Sequence, residues 1–325
     1  MIHAVAMFGG ACRFRDTKGL KESGMFAEAF SSIDSDQVPA LHSRIIACDN
    51  LPGAKEVYGF TAGPDFTLLV GNERRGLSHE FARMATDQVH VPMISRKIDC
   101  LNVAAASAVA LYYLCGPKVG LMAVRNDPRS RRPDLLLYRP VVHYEAGSTI
   151  RSAAAFGWDR AFVEDPHHAW FGSNRLVRSE ARAAARRGKN EILLIPSSSQ
   201  GRYEYERVTV VGRWPVGVPL HRLNLARGPG QLLILPDETN GDVGDDWTRF
   251  GREVEFGHLV LPAAKDVYHY RLIASIVLAE ISRQVGRRAR GLPPSPRSRP
   301  FYNRALKVLA EATGEAVALE DLVHY

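Results

Sequence analysis

Cysteine is scarce: four in 325 residues, at Cys12, Cys48, Cys100 and Cys115. No two form a CxxC pair, and none joins histidine at a ligand spacing. A disulfide framework and a structural zinc site are therefore not read, and the pattern fits a reducing compartment. Long apolar runs are missing too. The longest, Leu101 to Leu114, contains Asn102 and falls short of the roughly 20 residues a membrane span needs. The opening MIHAVAMFGG lacks the charged start and extended apolar stretch of a secretory leader. The expectation is a soluble, cytoplasmic protein with no membrane partner and no metal. No G-x-G-x-x-G follows a strand, which disfavours a nicotinamide-type dehydrogenase. No Ser/His/Asp arrangement can be assembled from spacing.

Positive charge, by contrast, is in surplus. Lysine and arginine number 42 against 35 acidic residues, a formal charge of +7, and arginine is concentrated after residue 125. Such a surplus fits a polyanion such as RNA, because phosphate contacts release counterions. The composition, 46% hydrophobic and 24% charged, is ordinary for a chain able to bury a core. At roughly 150 residues per domain the length suggests two domains.

Along the chain, short β-branched or leucine runs alternate with helical windows. Strands are expected at Ile2–Phe8, Arg44–Cys48, Thr67–Val70, Gln88–Pro92, Leu135–Tyr138, Ala161–Glu164, Ile192–Pro196, Val208–Val211, Leu232–Leu235 and His258–Leu261. Helices are expected at Val103–Leu114, Thr149–Phe156, Arg175–Arg187 and Tyr268–Gln284, with a further one near Asn303–Thr313. The alternation reads as an α/β fold with a mostly parallel sheet. The windows after Asn102 and after Arg271 are apolar nearly all round, so both should be buried. Each follows an acidic loop, LLVGNERRG in the first case and LLILPDETNG in the second, by about thirty residues, which suggests an internal repeat. The polar stretch Asn126–Pro133 makes a natural linker. The division expected is a first half over 1–125, a linker at 126–133, a second half over 134–285, and a basic, Pro-rich tail at 286–325.

Two motifs carry more. LLVGNERRGLSHEFARMATDQVHVPM followed by DCLNVAAASAVALYYL resembles the C-terminal motifs of SpoU/TrmH-type methyltransferases of the SPOUT superfamily. Gly71, Asn72, Glu73, Gly76, Leu77 and Ser78 match the first of these, and Pro92, Met93, Leu101, Asn102 and Val103 the second. Cys100 departs from the family's serine and offers a weaker hydrogen-bonding thiol. LLLYRPVVHYEAGSTIRSAAAFGWDRAFVED resembles the family's first motif, N-x-G-x-x-x-R-T-A-x-x-x-G between strands. There Gly147, Arg151, Ala153 and Gly157 match, while Glu145 stands for asparagine and Ser152 for threonine.

The resemblance implies two SPOUT-like units with a C-terminal trefoil knot, and S-adenosylmethionine as cofactor. It places Cys48, Gly71, Asn72, Glu73, Val91, Met93, Leu101 and Asn102 around that cofactor, and Arg151, Glu73 and Asn102 in catalysis. Methyl transfer is an in-line displacement, so the enzyme's work is mainly positioning, and Gly71, with no Cβ, permits close backbone approach. A guanidinium is a poor base, so Arg151 reads as an electrostatic and positioning residue. The first half keeps the cofactor motifs but no clean arginine motif. The second keeps Arg151, but Leu235–Pro236 replaces the glycine turn and Arg271 stands where Asn102 would be. One chain then supplies both sides of a site that the family builds between two subunits, as an intrachain pseudo-dimer, itself monomeric or a homodimer.

Substrate-facing candidates are Glu145, Arg74, Arg75, Arg178 and Arg182; Trp170, after His167 and His168, reads as a core residue or a base-stacking one. The leading acceptor is RNA, at a ribose 2′-oxygen of tRNA or rRNA. The alternatives are a peptide, protein or small-molecule acceptor, motivated by Glu145 and Cys100, and a non-catalytic RNA-binding protein.

Overall fold

The computed structural model describes residues 5–7, 44–51, 53–63, 66–71, 76–77, 79–95, 97–115, 132–197, 203–212, 217–225, 230–237, 245–259 and 269–285. The chain divides into two compact units: residues 1–92, 106–119 and 261–265 form one, and residues 93–105, 120–260 and 266–325 the other. The division does not fall at the 126–133 linker. The motif segment 93–105, read from sequence with the first half, packs with the second unit.

The first unit holds β1 (Val5–Met7), β2 (Ile45–Cys48), β3 (Lys55–Glu56), β4 (Thr67–Val70), the short helix α1 (His79–Met84) and β5 (Asp87–His90). Helix α2 (Val103–Cys115) starts in the second unit's segment and continues into the first. The five strands lie in the order β1-β4-β2-β5-β3, all paired in parallel. β2 and β4 are buried on both faces, as their unbroken apolar runs require in a parallel sheet. Ile45, Ala47 and Leu69 pack with Leu77 and Phe81.

The second unit contains β6 (Asp134–Tyr138), α3 (His143–Ala155), β7 (Arg160–Glu164), α4 (Arg175–Ala184), β8 (Leu193–Ser197), β9 (Tyr205–Gly212), β10 (Val218–Pro219), β11 (Gln231–Pro236), β12 (Gly251–His258) and α5 (Tyr270–Val285). Its seven parallel strands run β10-β12-β9-β11-β6-β7-β8. Leu136, Phe162, Ile195, Val208, Val210, Leu232 and Ile234 build the core on one face with Tyr138, Trp247 and Phe250.

The strand orders of the two sheets correspond. β3-β5-β2-β4-β1 in the first matches β10-β12-β9-β11-β6 in the second. The two-residue strands β3 and β10 each lead into a 3-10 turn, at Val57–Gly59 and Leu220–Arg222.

Two expected elements sit elsewhere. The strand read at His258–Leu261 is Gly251–His258, whose exposed Arg252 and Glu253 hid it from an apolar search. The helix read from Thr149 begins at His143. Gly147 looks like a helix breaker, yet a Cβ there would lie 2.2 Å from the Ala181 carbonyl oxygen, so glycine is what lets α3 and α4 cross closely. The expected helix near 303–313, most of the 126–133 linker and the whole 286–325 tail lie outside the described residues. No helix among the described residues is long and apolar enough to cross a membrane.

Candidate functional site

In the first unit the loop after β4 is fastened at both ends by glycine. A Cβ on Gly71 would sit 2.3 Å from the carbonyl carbon of Gly76 and 2.4 Å from the Leu77 nitrogen. Gly76 has φ +67°, and a Cβ there would meet Asp49 Oδ2 at 2.5 Å. Glycine at 71 therefore serves first to bring the loop back on itself. Asp49, just past β2, completes the fastening: its Oδ2 accepts from the Leu77 amide at 2.6 Å and its Oδ1 from the Asn50 amide at 2.8 Å. Sequence reading passed over Asp49; the available signal was a carboxylate directly after an apolar strand, where strand-end amides need acceptors.

Beside it, Cys48 is buried, and burial pushes its thiol up to about 12, with Asp49 adding to the rise. Cys48 is thus a neutral wall at the end of its strand. Val91 and Pro92 are also buried. Asn72, Glu73, Arg74, Arg75 and Ser78 lie outside the described residues.

In the second unit, Arg151 is fully buried in the middle of α3. Its Nε donates to the Cys100 carbonyl at 2.8 Å, and its Nη2 to the Leu101 carbonyl at 2.9 Å and the Cys100 Sγ at 3.0 Å. The end of the same helix holds the start of the segment, since the Ala155 carbonyl accepts from the Ile94 and Ser95 amides at 2.9 and 3.2 Å. Ser95 Oγ accepts from the Ile98 amide at 3.0 Å, and Ile98 is buried. The next residue in line, Asn102, caps α2: its Oδ1 accepts from the Ala104 amide at 3.0 Å. The segment from half-buried Met93 to Asn102 is thus held along α3, with a cation at its centre. The thiol at position 100, where the family pattern has serine, is thus one of the acceptors for Arg151.

Glu145 is also buried, at 2% exposure. Its Oε1 lies 3.0 Å from His269 Nδ1 and 3.5 Å from Arg271 Nη1, while Oε2 has no hydrogen-bond partner. The carboxylate is answered inside the protein rather than presented outward. The positions aligned with the glycine turn are closed in the second unit. Pro236 ends β11, and Asp237 Oδ2 accepts from the Val141 amide at 3.1 Å. At the ends of β6 and β7, buried Glu164 accepts from Arg139 Nε at 2.9 Å and from Arg249 Nη2 at 2.8 Å, a pairing that single-sequence reading did not find.

On α4, Arg178 is half-buried and Arg182 exposed. Trp170 is buried, held by the Asp165 carboxylate, which accepts from the Ala169, Trp170 and Phe171 amides at 2.8–2.9 Å; it packs in the core rather than stacking on a ligand. No cluster of His, Cys, Asp and Glu among the described residues has metal-binding geometry.

Residues 28–112 match the model of the SpoU rRNA Methylase family. No curated protein matches the sequence significantly. Among solved structures, the chain is similar to an rRNA methyltransferase from Sinorhizobium meliloti, with 16% identity over 49% of this chain and 59% of that one, at a TM-score of 0.35. It is similar to the SpoU methyltransferase AviRb from Streptomyces viridochromogenes in complex with AdoMet, with 15% identity over 65% and 80% of the two chains, at a TM-score of 0.36. It is also similar to TrmJ from Z. mobilis ZM4, with 16% identity over 56% and 81%, at a TM-score of 0.33. These structural likenesses are loose. The glycine-fastened loop and the Arg151-held segment both lie within residues 28–112, the stretch in which the chain is similar to the SpoU rRNA Methylase family.

Proposed function

We propose that the whole chain methylates RNA at a ribose 2′-oxygen of tRNA or rRNA. The observation that carries this reading is Arg151 gripping the carbonyls of Cys100 and Leu101 beside Asn102. The arginine of one family motif thereby meets the backbone of another within a single polypeptide. The shared strand order of the two sheets supports reading the chain as two copies of one unit, knotted as in the family, the second without a donor loop of its own.

The residues fit the donor. Gly71 and Gly76 bring no side chain to the turn, which leaves room for adenosine, and the neutral Cys48 adds no charge against a sulfonium. Gly71, Asn72, Glu73, Val91, Met93, Leu101 and Asn102 are the residues assigned to hold it. When bound, S-adenosylmethionine would supply an electrophilic methyl group to the acceptor oxygen, leaving as S-adenosylhomocysteine while the hydroxyl proton passes to solvent.

Arg151 is not assigned that proton, because a guanidinium is a poor base. It fixes the Cys100–Asn102 backbone and places positive charge near the acceptor, while Glu73 organises the acceptor side. Arg74, Arg75, Arg178 and Arg182 are assigned to RNA phosphates. The charge argument for a non-RNA acceptor loses its footing, since Glu145 is paired internally with His269 and Arg271.

Incubation of the full chain with methyl-labelled S-adenosylmethionine and pooled tRNA and rRNA tests the reading. Alkaline cleavage needs a free 2′-hydroxyl, so label should appear in alkali-resistant dinucleotides. Unlabelled RNA, or label confined to mononucleotides, overturns it.

A further inference from the structure

Four large apolar side chains stand exposed among the described residues, all in the second unit: Val141 at 41%, Tyr144 at 42%, Phe171 at 36% and Leu176 at 76%. They lie at or just before the N-terminal turns of α3 and α4, two helices that pack on each other and are tied there by His143 Nε2 and Glu180 Oε2 at 2.5 Å.

Tyr144 differs from the other three because its position is built. The Arg271 guanidinium carbon lies 5.0 Å from the centre of the Tyr144 ring. Arg271 is itself held by the buried Glu145 carboxylate, which His269 also contacts. A cation pinned behind one face of the ring fixes its plane and leaves the ring's remaining surface open to solvent. Glutamate at 145, where the family pattern has asparagine, thus acquires a purpose: it anchors the cation that braces the tyrosine.

The neighbouring helix α4 supplies matching charge. Arg175, Arg178 and Arg182 recur at helical spacing, so they line one side of it. None of the three makes an ion pair among the described residues, and the helix's one acidic residue, Glu180, is engaged by His143.

We propose that Tyr144 is the stacking platform for an unpaired nucleotide of the RNA, and that α4 carries the phosphates flanking it. This rests on the RNA reading above and narrows the substrate class to a single-stranded loop or bulge. An exposed aromatic face accepts any base, provided the base is not already stacked in a duplex. Helical RNA hides its base faces and gains only from the arginines.

The test is equilibrium binding of the full chain to two fluorescently labelled RNAs of equal length, a hairpin with an open loop and a fully paired duplex. Tyr144→Ala is expected to weaken hairpin binding by about tenfold, the scale of one lost base–aromatic stack. Duplex binding should stay within about twofold, and Tyr144→Phe, which keeps the ring, should bind the hairpin like the parent. Arg178→Gln with Arg182→Gln should weaken both RNAs together and reduce the salt dependence. Equal loss of both RNAs in Tyr144→Ala, or no loss of either, overturns the proposal while leaving the methylation reading intact. Selective loss of the hairpin in a chain that transfers no methyl group supports the platform and defeats the methylation reading instead. A parent chain that binds neither RNA overturns both.

Discussion

Arg151 donates to the carbonyl of Leu101 at 2.9 Å, although fifty positions separate them. With its bonds to Cys100, one buried guanidinium fixes the backbone leading into Asn102. Arg151→Ala should therefore act twice. Methyl transfer should fall by about 10²–10³-fold, the scale of a lost preorganised electrostatic contact. Stability should also fall, by roughly 2–4 kcal/mol, as one buried and one part-buried carbonyl lose a charged donor. Arg151→Lys keeps the charge without the planar fork, so it should recover part of the stability and little of the transfer. Denaturant titration beside single-turnover kinetics separates the two; an Arg151→Ala chain as stable as the parent would disprove the clamp.

The fastened loop makes a second prediction. An alanine Cβ at 71 would lie 2.3 Å from the Gly76 carbonyl carbon, which is backbone and cannot swing aside. Gly71→Ala should open the turn at a cost of about 1–3 kcal/mol, and S-adenosylmethionine affinity should fall much more than the melting temperature. Calorimetric titration with the donor checks this. Undiminished affinity would show that the turn's closure is irrelevant to donor binding.

Cys48 sets a pH dependence. Its folded thiol is pushed up to about 12, above the ordinary thiol range. Between those values the folded chain keeps a proton that the unfolded chain has lost. Its contribution to stability is complete at neutral pH and declines as pH rises from the ordinary thiol range toward about 12. At pH near 8, iodoacetamide should leave native Cys48 unmodified and alkylate it after unfolding, as peptide mass mapping would read. Rapid native alkylation would contradict the burial.

Much of the architecture was legible because apolar runs bounded by glycine or proline announce buried strands. Thr67–Val70 is observed with the boundaries read from sequence, and the helix from Val103 runs one residue beyond its expected end. What escaped depends on distant partners. Gly147 reads as a breaker until Ala181 is seen to pass it. Glu145 reads as a charge turned toward substrate until His269 and Arg271 meet it. Asp49 has no pattern of its own and gains a role only through the amide of Leu77, 28 residues on. Motif residues such as Gly71 and Arg151 stand out in the sequence because each sits in a pattern of fixed spacing. Their neighbours are chosen by folding.

Every strand pairing described in the two sheets is parallel, so none can be closed by a tight hairpin. β6 meets β11 across about a hundred residues of intervening chain. During synthesis, at 5–20 residues per second, the newborn Leu135–Leu137 ribbon waits roughly 5 to 20 seconds for that neighbour to emerge. Throughout that interval a greasy, unpaired edge is open to other nascent chains, so misassembly has its chance before the fold is complete.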